Sequence, residues 1–400
     1  MPDHILSYAA DLTSWRRHLH QHPELAFEEH ATADFIASLL TDFGIKVHRG
    51  LAGTGVVGSL TAGTSKRAIG LRADMDALPL QEENHFPYAS VHNHVMHACG
   101  HDGHSAMLLG AARYLAETRN FDGTVYFIFQ PAEEAAGGAR VMIEDGLFEI
   151  FPMDAVHGMH NMPNLSAGHF AMRVGAQMAA FDSFDIVIRA TGTHAALPHL
   201  GSDAIVAASA IITAAQTIVS REIDPTRQAL LSFTRIKGGD NYNILPGEVL
   251  ISGCCRSFDL DIQKQLRDGL VRVSRDISVA HRTTAEVRFL EHYPATISTA
   301  DGIRAAANAA LDVVGTDRVT TDTPALMASE DFGYMLQVKP GSYILIGNGP
   351  GDGGCMLHNA HYDFNDEILV TGARYWARLA ERELAAGRPG QATARIAPLS

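Results

Sequence analysis

Residues 123–134 read GTVYFIFQPAEE. From Thr124 to Phe129 apolar or aromatic side chains fall on both faces, the pattern of a strand buried inside a parallel sheet. The polar tail Gln130-Pro-Ala-Glu-Glu134 follows at the carboxyl end of that strand, which is where open α/β sheets bind their ligands. The same grammar recurs along the chain. An apolar run at 68–73 ends in the acidic turn DMDALP, a run at 154–159 ends at His160, and SYILI at 342–346 leads through glycines to LHNAHYDFND. Helical spacing covers 12–20, 28–42 and 103–117, the last with Met107, Leu108, Ala111 and Leu115 on one stripe. Alternating strands and helices predict an α/β domain with a mainly parallel sheet.

The middle of the chain follows a different rhythm. Strands at 183–190, 229–237, 248–258 and 284–290 alternate apolar and polar residues, and helices are expected at 203–221 and 261–280. This β-α-β-β-α-β order is ferredoxin-like, with both helices on one face of an antiparallel sheet. The expected organisation is therefore discontinuous: a catalytic domain over 1–180 and 294–386, an inserted ferredoxin-like domain over 181–293, and a flexible tail over 387–400 rich in small residues, Gly and Pro.

Composition narrows the class of function. The 400 residues are 46% hydrophobic and 19% charged, as in a globular protein. A net charge of -14 disfavours nucleic acid and anionic membranes as partners. Four scattered cysteines, Cys99, Cys254, Cys255 and Cys355, make no disulfide framework, and the N-terminus has no signal-peptide pattern, so a cytoplasmic location is expected. The longest apolar stretch, 204–219, is interrupted by polar residues and reads as a packed helix rather than a membrane span.

The 21 histidines pose the chemical question. His, Cys, Asp and Glu from several strand ends are delivered to one rim, and those residue types together suggest a divalent metal site. Cys99 and His101 project to one side of an extended segment ahead of a helix N-terminus, whose positive end favours a thiolate. Of the adjacent Glu133 and Glu134, one can ligate while the other faces the substrate as general base. The set suits zinc, with manganese, cobalt or nickel as alternatives, and is large enough for two ions. Blander readings cover the rest. Cys254 and Cys255 read as core residues, His85, His92 and His94 as surface loop, and His18, His20 and His22 as helix-end filler. His104 reads as a packed or ligand-orienting histidine.

The strings LRADMDALPLQE, MHACGHDGHSAMLLGAARYL, FQPAEEAAGGARVMIEDGLF, HGMHNMP, GTHAALPHLGSDAI, GGDNYNILPGEV, SEDFGYML and LHNAHYDFND occur in that order. Through them the chain resembles the M20 metallopeptidase superfamily, in its amidohydrolase branch of hippurate hydrolases, N-acyl-amino-acid amidohydrolases and auxin-conjugate hydrolases. The resemblance implies Cys99, His101, Glu134, His160 and His358 as ligands of two divalent ions and Glu133 as the base. It implies that His194 stabilises the oxyanion, that Asn243 and Arg256 hold the substrate carboxylate, and that the inserted domain forms a homodimer, or a homotetramer built on it. Without the resemblance, Arg256 reads as a surface charge. Many members carry HxD where this chain has Asp74-Met75-Asp76; Asp76 is read as orienting a ligand histidine, and Asp74 is left unassigned. The activity implied is metal-dependent hydrolysis of N-acyl-L-amino acids of the hippurate kind, with closure of a hinge between the domains. Three alternatives stay open here: a deacetylase for N-acetyl-amino acids or N-acetyl-diaminopimelate, a cysteine amidase with Cys99 as nucleophile, and a non-catalytic binder of metal or acyl-amino acid.

Overall fold

The computed structural model describes residues 2–134, 137–350 and 355–386, so the tail expected at 387–400 lies outside the described residues. The chain divides into two units. The larger comprises 1–177, 297–324 and 331–400, and the smaller 178–296 with 325–330. Residues 325–330, read from sequence as part of the larger domain, thus pack with the smaller one.

The larger unit is built on an eight-stranded sheet in the order Lys46–Leu51, Gly55–Ala62, Gly123–Gln130, Ala68–Asp74, Ala155–Pro163, Gly341–Gly349, Phe170–Ala171 and Val319–Thr320. The four central strands run parallel. Ala68–Asp74 and Gly341–Gly349 are buried at every residue, as strands covered on both faces must be. One face packs on helices Ala9–Gln21, His101–Thr118, Ala300–Val314 and Leu369–Glu383, with Leu71, Phe127 and Ile344 from the strands in the shared core. Each such large apolar side chain contributes about 1.5–3 kcal/mol by leaving water. Arg72 interrupts the pattern as a fully buried charge. Its guanidinium is satisfied by Asp74, Gln130 and Asp331 and lies over the Phe332 ring.

The strands Lys46–Leu51 and Gly55–Ala62 form an antiparallel hairpin at one edge of this sheet, and the sequence reading did not anticipate it. The hairpin joins Gly123–Gln130, so GTVYFIFQ is the strand where the sheet changes from antiparallel to parallel pairing.

The smaller unit has the β-α-β-β-α-β order. Its antiparallel sheet runs Ala229–Lys237, Glu248–Ser257, Ala180–Arg189 and Thr284–Tyr293. Alternate residues of Ala180–Arg189 are buried, and Phe184, Ile186 and Ile188 pack with Ala207, Ile211, Leu266 and Leu270 of the two helices. Asp203 caps the first helix by accepting from Ile205 and Val206 N–H. That helix, Ala204–Thr217, ends in a π-turn, Ile218–Glu222, rather than continuing regularly as the periodicity predicts. Helix and π-turn together, Ala204–Glu222, are long and apolar enough to cross a membrane, yet Ala204, Ala207, Ala208, Ile211 and Ala215 face the core of the unit.

Candidate metal centre

The carboxyl ends of the parallel strands of the larger unit carry the polar motifs. Asp74 closes one strand, Gln130 the next, and His160 lies near the end of the third. Between them, Cys99 precedes the helix His101–Thr118. Gly100 makes that junction at φ +95°, a conformation L-residues avoid, and a Cβ there would fall on Asn161 Oδ1 and Tyr362 Oη. Asn161 Nδ2 donates to Tyr362 Oη, so the same two side chains brace the turn.

His101 is fully buried. Its Nδ1 lies 2.9 Å from the Asp76 carbonyl and 3.2 Å from Asp76 Oδ1, both acceptors, so Nδ1 carries the hydrogen and the Nε2 lone pair points into the site. His160 has the same arrangement, with Nδ1 2.6 Å from the Asn161 carbonyl and Nε2 3.3 Å from Cys99 Sγ. Glu134 Oε1 sits 3.3 Å from His358 Nε2 and 3.8 Å from His101 Nε2. The buried atoms His101 Nε2 and Glu134 Oε1 nevertheless have no aligned hydrogen bond. The donor atoms of Cys99, Glu134 and His358 lie within 4.8 Å of one another, and so do those of His101, Glu133 and Glu134. Donor atoms gathered this closely, two of them without a hydrogen-bond partner, are what a cation requires, and a thiolate, imidazole and carboxylate set suits a borderline-soft divalent ion. Glu134 belongs to both groups.

The electrostatics point the same way. Burial, with Glu134, Glu133 and Asp74 nearby, pushes the Cys99 thiol well up. This corrects the expectation of a helix-stabilised thiolate, because desolvation and three carboxylates outweigh the helix end and a bound cation is needed to hold the thiolate. Burial also disfavours protonated His101, but Asp74, Asp76 and Glu134 overcome that and raise it to about 10. The carboxylates thus favour positive charge at the Nε2 face of His101, a proton in the free site or a divalent ion in its place.

Asp74 has no oxygen to spare. One is 2.6 Å from His104 Nδ1 and the other accepts from Arg72 Nη1 at 2.6 Å. Burial would raise its pKa, but His101, Arg72 and His104 hold it well below the usual carboxylate range. His104 Nε2 in turn accepts from Asn161 N–H at 2.9 Å, so this histidine orients its neighbours. His20 is not helix-end filler: it is fully buried, 2.9 Å from Asp102 Oδ2 and 3.2 Å from Glu82 Oε1. Asp102 also pairs with buried Arg16 at 3.0 Å. No sequence signal separates His20 from His18, because its partners come from remote segments.

Glu133 is 6% exposed and adjoins this group. His358 is half exposed and enters at φ +60°, with its N–H donating to the Ala98 carbonyl. The remaining candidates, His194, Asn243 and Arg256, lie in the smaller unit. His194 and Asn243 share a two-stranded ribbon in which Ala195 N–H donates to the Asn243 carbonyl at 2.9 Å. His194 Nδ1 accepts from Ala196 N–H at 3.0 Å, which leaves Nε2 to carry the hydrogen on an exposed ring. Arg256 is held elsewhere in that unit by the Met327 carbonyl and Ser329 Oγ, above the Phe181 ring. It is not the free surface charge that its strand position alone suggests.

The profile of peptidase family M20/M25/M40 matches residues 70–382. A hippurate hydrolase of Campylobacter jejuni is 40% identical over 380 residues, covering 95% of this chain and 98% of the relative. An N-acetyl-L-cysteine deacetylase of Bacillus subtilis is 38% identical, covering 96% of this chain and 90% of the relative. A solved Bacillus subtilis structure, described as a dinuclear metal binding peptidase from the M20 family, superposes with a TM-score of 0.83 at 32% identity, covering 94% of this chain and 99% of that one. With fold, motif order and donor set in agreement, the chain belongs to peptidase family M20/M25/M40, as a metal-dependent amidohydrolase.

Proposed function

We propose that the protein hydrolyses the amide bond of N-acyl-L-amino acids, hippurate-like substrates first, releasing a carboxylic acid and a free amino acid. The observation that carries this reading is the convergence of Cys99, His101, Glu134, His160 and His358 beside the buried Glu133. Those five residues hold two divalent ions, zinc, manganese, cobalt or nickel. A bound ion supplies Lewis acidity, making water a better nucleophile and polarising the substrate carbonyl. Glu133 takes the proton of the attacking water and returns it to the leaving amine. Asp76 fixes the tautomer of His101. The family resemblance alone assigns oxyanion stabilisation to His194 and recognition of the substrate carboxylate to Asn243 and Arg256.

The printed activities of the two sequence relatives, hippurate hydrolysis and N-acetyl-L-cysteine deacetylation, support the reaction class. The second of them favours N-acetyl-amino acids as the alternative substrate. Cys99, Cys254 and Cys255 stand outside any disulfide, which accords with a cytoplasmic enzyme. The smaller unit presents Ile205, Val206, Ile236, Tyr242 and Ile244 at 41% exposure or more, which supports a homodimer formed through that unit.

Turnover on a panel of benzoyl-, acetyl- and indoleacetyl-amino acids, before and after chelation, tests the reading. Chelation is expected to abolish cleavage and added Zn, Mn or Co to restore it, with benzoylglycine the best substrate. Full activity after exhaustive metal removal would instead favour Cys99 as a nucleophile, and no cleavage of any member would leave only a binding protein.

A further inference from the structure

Glu29 is fully buried, far in sequence from every motif of the metal centre, and the mechanism above does not use it. Both of its carboxylate oxygens are occupied. Oε2 accepts from Thr54 Oγ1 at 2.6 Å, and Oε1 accepts from the backbone N–H of Ala132 at 2.9 Å. Ala132 immediately precedes Glu133 and Glu134 and has φ +55°, a left-handed conformation that an alanine enters only when its surroundings impose it. The carbonyl of Ala132 is also taken, accepting from Gly138 N–H at 3.0 Å. Gly138 is itself required, since a Cβ there would fall on the Pro131 carbonyl. Two residues beyond Ala132, Glu134 N–H donates to Asp76 Oδ2 at 3.0 Å.

The turn that aims Glu133 and Glu134 is thus clamped by two carboxylates, Asp76 within the metal centre and Glu29 outside it. A normal backbone at Ala132 would rotate the following residues, and with them both glutamates. We propose that Glu29 is a positioning residue: by holding the Ala132 amide it fixes the left-handed turn that aims Glu133 at substrate and Glu134 at the metal. Glu29 touches neither substrate nor metal, so it acts on turnover and metal retention and leaves substrate affinity nearly alone. This inference rests on the roles given above to Glu133 and Glu134.

The test compares Glu29→Ala, Glu29→Gln and Glu29→Asp in the zinc-loaded full chain, with benzoylglycine as substrate. Zinc affinity is read separately by competition with a chromophoric chelator, and folded fraction by circular dichroism. Glu29→Ala is expected to lose about 10- to 100-fold in kcat and in zinc affinity, as loss of a residue supporting metal ligands does, with KM moved by less than about twofold. Glu29→Gln keeps a carbonyl oxygen for the Ala132 N–H, so it is expected to restore most of both. Glu29→Asp keeps the charge but retracts it, and is expected to resemble alanine. Should the alanine variant fail to fold, the contrast between Gln and Asp decides. Wild-type kcat and zinc affinity in folded Glu29→Asp or Glu29→Ala would overturn the proposal, as would equal losses in the Gln and Asp variants. Glu133→Gln is measured alongside: if it keeps turnover, the assignment of the base has failed, whereas if it is inactive and the Glu29 variants are normal, only the positioning role has.

Discussion

His157 lies within the central sheet, its Nδ1 2.8 Å from Ser342 Oγ and its Nε2 without a hydrogen-bond partner. Burial pushes its pKa down to about 4, so the folded protein holds it neutral while the unfolded chain protonates near 6.5. Between those values the unfolded state binds the extra proton. The stability this residue contributes above pH 6.5 is therefore lost as the pH falls towards 4, by about 3 kcal/mol in all. His157→Asn, which keeps a polar group near Ser342, is expected to unfold with a shallower acid dependence than wild type. Urea midpoints at pH 7 and pH 5 check this, and an unchanged wild-type-minus-variant difference between the two would contradict it. At this scale the sequence was partly legible. His160 stands out because it follows an apolar run, His101 because it pairs with Cys99 ahead of a helix, and Glu133 and Glu134 because they follow a buried strand. Glu29, His20 and Arg16 did not stand out. A charged residue looks like surface until its partners are known, and theirs, Thr54, Ala132, Glu82, Asp102 and Asp363, are distant in sequence.

The junction at Gly100 sets the start of the helix that carries His101. Its positive φ and the close approach of Asn161 and Tyr362 leave no room for a side chain. Gly100→Ala is expected to cost about 1–3 kcal/mol by overpacking, with the left-handed strain added, and to lower zinc affinity because Cys99 and His101 flank the turn. A lower urea midpoint at unchanged m-value, together with weaker chelator competition, would establish both effects; a stable variant with normal zinc affinity would refute them. The long elements were readable because their periodicities are unambiguous, continuous in SYILI and alternating in Ala180–Arg189. The hairpin Lys46–Ala62 was not. Its outer strand, KVHRGL, is largely exposed and polar, as edge strands are, and carries little hydrophobic signal.

Across the whole molecule, the apolar surface of the smaller unit and the net charge of -14 pull in opposite directions. Net charge keeps copies apart at long range, while Val206, Ile236 and Ile244 offer contact area at short range. Light scattering is expected to give twice the 43.1 kDa chain mass, and Val206→Glu with Ile236→Glu to halve it; a wild-type monomer would remove the dimer from the account. Sequence alone yielded the two-unit plan but not the return of residues 325–330 to the smaller unit, since that segment has no periodicity of its own. In the proposed reaction Glu133 moves the proton while its neighbours hold the metal. The most direct measurement is kcat and bound metal for Glu133→Gln. Wild-type metal content is expected, with kcat reduced by about 10²- to 10⁴-fold, the usual contribution of a general base. Turnover within a few-fold of wild type at full metal occupancy would contradict it.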